Sequence, residues 1–462
     1  MKIKYLFLLI IIFYNIRLFS QNNSVLDNYI DFALKNNLAL KQKTDNYNKS
    51  IILLKQARSL FYPQLSINAR YSIAEGGRTI DIPVGDMMNP VYDNLNGIND
   101  FMYAAGLIDK PDKYPHIDNQ TINFLRPHEQ ETKARLVQPV INNKIWYNSK
   151  IKKDLSLVEN QNVNAYRNEL IADVKIAYYK YLQTEELLKI ILQTKNIINK
   201  NIILNQKLFD NNKVTYDKVL RAKTELSKIE QEQSNYKKLN ITAKAYFNFL
   251  LNKDLNSDIK IDYTNIKIPE INNNVNAFID SAINNRAELK IINLYKSVND
   301  NNIKLNKTNT LPNVYAVLDY GFQGEDYTFN KNYDFYIASL VFKWDLFKGF
   351  DNYNKIQESK INKSILNDKL DETKKKISLQ ILNSYYDVKS AEKNIDLSKS
   401  QQKLANENFK IVSKKYKNGT ANQLEYLDAQ TQFTNSKINY LLKKYDYLIK
   451  ITELYKNINY FN

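Results

Sequence analysis

The chain has 462 residues, with nine Gly, nine Pro and no Cys, and with 66 Lys and Arg residues against 49 Asp and Glu residues. Without cysteine the protein can form neither disulfides nor thiolate metal sites, and the shortage of Gly and Pro favours a few long elements. The formal net charge of +17 is compatible with nucleic-acid binding, but the lysines are scattered rather than clustered. We therefore predict no nucleic-acid partner.

The first twenty residues have the pattern of a signal peptide. Two lysines precede an apolar run from Tyr5 to Tyr14, and the small residue Ser20 precedes Gln21. A membrane-spanning helix needs about 20 apolar residues, roughly twice the length of this run. We expect residues 1–20 to be removed on export and the mature chain to begin near Gln21.

The rest of the chain contains two copies of one pattern. The segment YIDFALKNNLALK at residues 29–41 matches FIDSAINNRAELK at residues 278–290. Further aligned pairs are Pro63 with Pro312, Tyr178 with Tyr385, and Leu220 with Leu427. Because repeated segments indicate a duplicated architecture, we assign a first repeat to residues 21–270 and a second to residues 271–462.

Four segments alternate between apolar and polar residues, as β-strands do. They lie at about residues 64–73, 131–140, 313–322 and 334–345. Alternating strands of about ten residues are typical of outer-membrane barrels, whose smallest members have about eight strands. Four strands cannot close such a barrel, so we expect three chains to share one barrel of about twelve strands. The alternative is a pair of soluble hairpins packed on helices.

The first repeat contains an insertion at residues 74–128 that the second repeat lacks. Its Gly and Pro residues are Gly76, Gly77, Pro83, Gly85, Pro90, Gly97, Gly106, Pro111, Pro115 and Pro127. Such crowding predicts an irregular loop.

Long segments free of Gly and Pro make up most of the remaining chain. They predict helices at about residues 142–208, 216–252, 350–416 and 422–457. At 1.5 Å per residue the longest would measure roughly 100 Å. Leu and Ile recur at spacings of three and four, so each helix must pack against others, as in a coiled coil.

In each repeat, one short turn separates the two long helices. Gly419 can adopt the left-handed conformation that ends a helix, and the next helix then begins near Asn422. The first repeat has Asn212 at the corresponding turn, and asparagine is the next most tolerant residue there. Glu425 and Asp428 follow the second turn, three residues apart, and so share one helix face.

In these features the chain resembles the TolC-like outer membrane efflux protein family. The matching motifs, besides the duplication, are A-x5-P-x-L at Ala57, Pro63 and Leu65, WDLFKG at 344–349, and the turns LFDNNKVTYDKVLRA at 208–222 and KYKNGTANQLEYLDA at 415–429. The resemblance implies an α+β membrane protein, a homotrimer with a twelve-stranded barrel in the outer membrane and a helical tunnel in the periplasm. It also implies that the insertion faces the outside of the cell.

The resemblance further implies an exit duct for a tripartite efflux or type I secretion system, with a periplasmic adaptor and an inner-membrane transporter as partners. The alternative is a secreted or periplasmic coiled-coil scaffold or adhesin without channel activity. A duct needs no catalytic residue or cofactor. With only His116 and His128 and no Cys, a nucleophilic triad or tetrahedral zinc site is hard to build, so we expect no enzyme activity and no metal.

The family assigns roles to residues at and near the turns. By resemblance the adaptor contacts the two tips, which are Asn211, Asn212 and Lys213 in the first repeat and Asn418, Gly419 and Thr420 in the second. Glu425 and Asp428 would line the narrow periplasmic entrance, and Tyr416 would help to hold it closed. The family's usual acidic partner of this tyrosine falls at Lys218, and a family arginine falls at Ala421, so the closing contacts must differ here.

The acidic pair also has a purely structural interpretation. Asn422 and Glu425 have the spacing of an N-cap and a third-position acid, which together form a capping box. The first repeat has Lys218 and Arg221 at the matching positions, so the pair occurs once per chain. An entrance ring and a helix cap both remain open at this point.

Overall fold

The computed structural model describes residues 24–263, 269 and 271–461. The expected signal peptide and cleavage point lie outside these residues. In chain order the elements are α1 (Val25–Asn36), α2 (Leu38–Ser59), β1 (Gln64–Ile73), β2 (Thr79–Ile82), α3 (Val84–Ala104), β3 (Gln120–Asn123), β4 (His128–Ile141), α4 (Asn143–Asp210), α5 (Tyr216–Leu250), α6 (Val275–Asn285), α7 (Ala287–Thr308), β5 (Asn313–Gly324), β6 (Asp334–Lys343), α8 (Asp351–Lys417) and α9 (Gln423–Asn457).

The chain divides into two compact units, one helical and one built around a sheet. The helical unit draws on the described parts of residues 1–55, 150–303 and 355–462, and the sheet unit on residues 56–149 and 304–354. Throughout the described part of the chain, the helices lack a stretch long and apolar enough to cross a membrane.

The core of the helical unit consists of two similar clusters of buried side chains. One contains Tyr178 of α4 and Phe247 of α5, and the other contains Tyr385 of α8. Helix α9 contributes Tyr445 to the first cluster and Tyr447 to the second, and both tyrosines are buried. The matched positions Tyr178 and Tyr385 thus occupy equivalent places, which confirms the internal duplication.

The helical segment that opens each repeat is broken in both copies, and the residue at each break makes the same kind of contact. Asn37 separates α1 from α2 and donates from Nδ2 to the carbonyl of Leu250, 2.9 Å away. Arg286 separates α6 from α7 and donates from Nε to the carbonyl of Asn457, 2.6 Å away. Each break residue therefore satisfies a carbonyl at the end of its repeat's last long helix, where no intrahelical donor exists.

The four predicted strands are confirmed and form one antiparallel sheet in the order β1-β4-β5-β6. Pairing of β4 with β5 joins the two repeats. Within the described residues, β1 and β6 each pair on one side only, so the sheet has two open edges.

One face of this sheet is apolar, and the other, which we call the polar face, carries most of its charged residues along with some apolar ones. Ile67 of β1 and Tyr336 of β6 are each 79% exposed on the apolar face. Arg70, Glu131 and Arg135 alternate with such residues and point to the opposite face, as the strand period of two requires. This division suits a strand pair with lipid on one side and water on the other.

The insertion is not irregular, and that prediction is wrong. It contains the two-stranded ribbon β2–β3 and the 21-residue helix α3. Gly85, Pro90 and Gly97 lie inside the helix, which is held by side-chain hydrogen bonds to a neighbouring segment, as described below. The composition of the segment alone carries no sign of those bonds.

Candidate functional site

Both turns of the helical unit end their long helix in the same way. Asn212 has φ of 58° and Gly419 has φ of 75°. The amide of Lys213 donates to the carbonyl of Leu208 at 2.8 Å, and that of Thr420 donates to the carbonyl of Lys415 at 3.0 Å. These bonds are those of the Schellman motif. The residue with positive φ that ends the helix is therefore an asparagine at the first tip and a glycine at the second.

All six predicted tip residues lie at these two turns and are exposed. Asn211 donates from Nδ2 to the carbonyl of Lys207 at 2.6 Å, and the Thr420 hydroxyl donates to the carbonyl of Lys415 at 3.1 Å. The other four are Asn212, Lys213, Asn418 and Gly419. Each tip thus presents a rigid, polar and solvent-facing surface.

The acidic pair lies on the exposed face of the first turns of α9. The Asn422 side chain accepts from the amide of Glu425 at 2.9 Å and donates to the Glu425 carboxylate at 2.8 Å. Asp428 accepts from the Gln432 amide at 2.9 Å, outside this cap. Asn422 is therefore the N-cap of α9 and receives the amide of Glu425, while the Glu425 carboxylate bonds to the Asn422 side chain, and Asp428 takes no part in this cap. Glu425 remains exposed beside the Asn422 cap, so the cap does not prevent its carboxylate from facing an entrance.

Tyr416 makes a buried hydrogen bond that joins α8 to α4. Its hydroxyl donates to Oδ1 of Asn205 at 2.6 Å. Asn205 in turn donates from Nδ2 to the backbone and side-chain oxygens of Asn201, each at 2.9 Å. The tyrosine ring stacks on Tyr426 with ring centroids 4.8 Å apart. Tyr416 thus ties the two helical hairpins together one turn above the second tip.

A second contact joins the other two helices near the tips. The Gln423 side chain of α9 donates from Nε2 to the carbonyl of Lys218 in α5 at 2.6 Å, and Gln423 is buried. The structure therefore uses the backbone of Lys218, not its side chain, at the position where the family has an acid.

Sequence reasoning missed Asn201, Asn205 and Gln423. A signal was present, because Asn201 and Asn205 continue a buried stripe of α4 that otherwise contains Ile191 and Ile198. A buried polar residue in an apolar stripe must find a partner, although the stripe does not identify that partner.

Burial keeps the tip tyrosines uncharged. Removal from solvent raises the pKa of Tyr416, and the hydrogen bonds to Asn205 and Asn201 only partly oppose this. Burial also raises the pKa of Tyr426 to about 12. Both hydroxyls stay protonated at physiological pH, so the Tyr416 bond does not respond to pH in that range.

We predict that Tyr416→Phe loosens the tips. The substitution keeps the ring but leaves Oδ1 of the buried Asn205 without its donor, which costs about 1–3 kcal/mol. Hydrogen exchange of the amides near residues 201–205 and 412–420 should become about tenfold faster or more. Tyr386→Phe, at an exposed position of the same helix, is the matched control. Equal exchange in both variants would contradict a role for this bond.

The polar face of the sheet carries charges that are paired with one another. Arg135 donates to Asp319 from Nε at 2.8 Å and from Nη2 at 2.7 Å, across β4 and β5. Glu131 lies between Arg70, 3.5 Å away, and Lys133, which also bonds to it. Bidentate arginine–carboxylate pairs of this kind are strong and directional.

The two histidines lie in exposed positions of the sheet unit. His116 lies 2.8 Å from Asp93 in the insertion, and His128 lies 3.3 Å from the Tyr71 hydroxyl. No group of three or more His, Asp or Glu placed to bind a metal ion occurs among the residues that the structure describes.

Part of the second repeat matches the model of a known family. Residues 278–459 match the family model described as outer membrane efflux protein. The match covers 182 of the 462 residues and lies within the second repeat. The match contains Tyr416, Gly419, Glu425 and Asp428, and the internal duplication extends the same pattern to the first repeat. The resemblance predicted from the repeat and tip motifs is therefore confirmed for the second repeat.

Solved structures of such channels resemble almost the whole chain. The Campylobacter jejuni CmeC outer membrane channel has a TM-score of 0.73 and 14% identity, covering 94% of this chain and 86% of that one. The Neisseria gonorrhoeae MtrE channel in its open state has a TM-score of 0.72 and 14% identity, covering 94% and 88%. The Vibrio cholerae outer membrane protein VceC has a TM-score of 0.73 and 12% identity, covering 94% and 96%.

These structural likenesses establish that the first repeat shares the fold of the efflux protein repeat. No curated protein matches the sequence of this chain. The fold class predicted from the sequence, long helices with four strands per chain, is confirmed.

Proposed function

We propose that three copies of this chain form an outer-membrane exit duct of a tripartite efflux or type I secretion system. The observation that carries the proposal is the four-stranded sheet, with its exposed apolar face, its paired charges on the other face and its open edges at β1 and β6. In lipid every backbone polar group needs a partner, so open edges must close. Three such sheets give a barrel of about twelve strands.

The long helices supply the periplasmic part of the duct. Chain order brings both ends of each strand pair to a helix, so the helices lie on one side of the membrane and the insertion emerges on the other. The exposed tips at Asn211–Lys213 and Asn418–Thr420 are the docking points for a periplasmic adaptor, which links the duct to an inner-membrane transporter.

The acidic pair gives the tips a second role, at the entrance. Glu425 and Asp428 occur once per chain, so a trimer presents six carboxylates around its axis. Such a ring attracts cations. Tyr416 holds the surrounding helices together by its bond to Asn205, and its release is part of opening.

The alternative, a soluble coiled-coil scaffold or adhesin, has to leave the apolar face of the sheet in water. Leu65, Ile67, Tyr336 and Leu340 are largely exposed there. A contiguous exposed apolar face marks an interaction with lipid or protein. Purification tests the two functions directly. A duct should copurify with outer membranes as a trimer and conduct ions in planar bilayers, and recovery of the protein in a soluble fraction would overturn the proposal.

Neutralising the acidic pair should change the selectivity of the channel. In planar bilayers, Glu425→Gln combined with Asp428→Asn should lower the cation preference and abolish block by trivalent cations, because the entrance ring loses its charge. Gln at position 425 still accepts a hydrogen bond, so the helix cap and the trimer are retained.

The matched control is Asp217→Asn, which removes an exposed carboxylate from the first turn of α5 at the other tip. It should leave selectivity and block unchanged. If the double variant conducts with the parent's selectivity and block, Glu425 is a cap only and the entrance role is wrong.

A further inference from the structure

The polar side chains of helix α3 bond to the segment that follows it in the insertion. Asn89 and Asn96 each bond to both backbone groups of one residue in the segment that follows. Asn89 donates to the carbonyl of Ile117 at 3.0 Å and accepts from its amide at 2.9 Å. Asn96 does the same with Tyr114, at 3.0 and 2.9 Å. These paired bonds fix which face of α3 turns inward.

Charged groups and a helix cap complete the same arrangement. Asp93 lies 2.8 Å from His116, and Asp100 accepts from Lys113 at 2.8 Å. At the start of the helix, the Asn119 side chain accepts from the amides of Gly85 at 3.0 Å and Asp86 at 3.1 Å. The polar face of α3 therefore contacts residues 113–119 of the insertion along most of the helix.

The opposite face of α3 is apolar and exposed. Its residues recur at spacings of three and four, which places them on one stripe. Phe101 is 73% exposed and Met87 is 68% exposed, and the stripe, which we call the α3 stripe, consists of Met87, Val91, Leu95, Ile98 and Phe101. The polar Asn94 lies among these residues, but an exposed stripe that is otherwise apolar marks a site of interaction.

A lipid surface does not suit this helix. Helices that lie on membranes are usually rich in Lys and Arg on their polar face, whereas α3 contains Asp86, Asp93 and Asp100 and no basic residue. Residues 74–127 together contain eight acidic and four basic residues, although the whole chain has a net charge of +17. An anionic lipid surface would repel such a segment.

The position of α3 favours a second copy of the chain instead. The amide of Ala74 donates to the carbonyl of Pro127 at 3.1 Å, and the amide of Phe124 donates to the carbonyl of Arg78 at 3.0 Å. These bonds continue the β1–β4 pairing into the β2–β3 ribbon, which carries α3 past the end of the sheet. Because β1 is an open edge, α3 leaves the sheet beside the strand that must meet the next copy.

We propose that the α3 stripes of three copies pack against one another and form a cap over the outer mouth of the barrel. This inference rests on the proposed trimer. Threefold symmetry brings three identical apolar stripes to one axis, where each stripe is buried by the other two. The cap adds a second, outward-facing barrier, formed by the insertion that only the first repeat contains.

Disulfide trapping tests the cap cleanly, since the protein has no cysteine. Ile98→Cys and Phe101→Cys place a thiol on the stripe. After mild oxidation of the intact protein in membranes, most chains of either variant should run as linked dimers on a nonreducing gel, because one thiol in a trimer is always left over. Tyr103→Cys is the control, at an exposed position of the same helix that lies about 140° or more around the axis from both stripe residues.

The outcomes separate the cap from the function on which it rests. If the unmodified protein is not a trimer, the proposed function fails. If the protein is a trimer but neither stripe variant forms linked dimers, or if Tyr103→Cys links equally well, the cap is wrong and the function stands. Linkage of the stripe cysteines to a different protein would likewise overturn the cap.

Discussion

Gly321→Ala is expected to destroy the barrel, because no side chain fits at this position. Gly321 lies opposite Lys133 in the β4–β5 pair. A Cβ added there would lie 2.4 Å from the carbonyl oxygen of Thr132 and 2.6 Å and 2.7 Å from the Cβ and Cα of Lys133. These are backbone or near-backbone atoms of the paired strand, so they cannot move aside without breaking the pairing.

The β4–β5 pair is also the junction between the two repeats, so its loss would divide the sheet. Overpacking of this kind costs about 3 kcal/mol, and we expect a severe loss of the trimer from the outer membrane, measured as the loss of the oligomer band in unheated samples. Gly97→Ala is the matched control. An added Cβ there meets no atom within 4 Å, and Gly→Ala inside a helix stabilises by about 0.5–1 kcal/mol. Normal trimer yield from Gly321→Ala would contradict the close approach.

Asp319→Asn is expected to make the barrel prefer anions. Asp319 is 5% exposed and binds Arg135 through two hydrogen bonds, so the pair contributes no net charge to the polar face of the sheet. Removing the carboxylate leaves three unpaired guanidinium groups facing the lumen of the proposed trimer. Such rings of like charge set the ion preference of a pore.

The reversal potential under a salt gradient measures this effect. Asp319→Asn should shift it toward anions and Arg135→Gln toward cations, and the combined variant should return to the parent's value because both charges are then absent. The measurements are best made together with Glu425→Gln and Asp428→Asn, so that the entrance does not mask the barrel. Channels of both single variants with the parent's reversal potential would show that this pair lies outside the ion path.

The sequence alone determined the kinds of element and the order in which they occur. A helix forms wherever Gly and Pro are missing and apolar residues recur every three or four positions, as along α4 and α8. A strand forms where the period is two, as along β1 and β5. The turns at Asn212 and Gly419 follow from the one conformation that favours these two residues. All of these signals are local, which is why they can be read without a structure.

The tertiary structure decided which side chains meet. The partner of Tyr416 is Asn205, and the residues that break the first helices, Asn37 and Arg286, bond to the distant ends of α5 and α9. Helix α3 forms through Asn89 and Asn96 despite the Gly and Pro within it. At Tyr416, Asn37 and Arg286, a polar group far away in sequence must be satisfied once packing has removed it from water. The need for these hydrogen-bond partners arises only when the chain is folded, so periodicity and composition cannot predict which residues will pair.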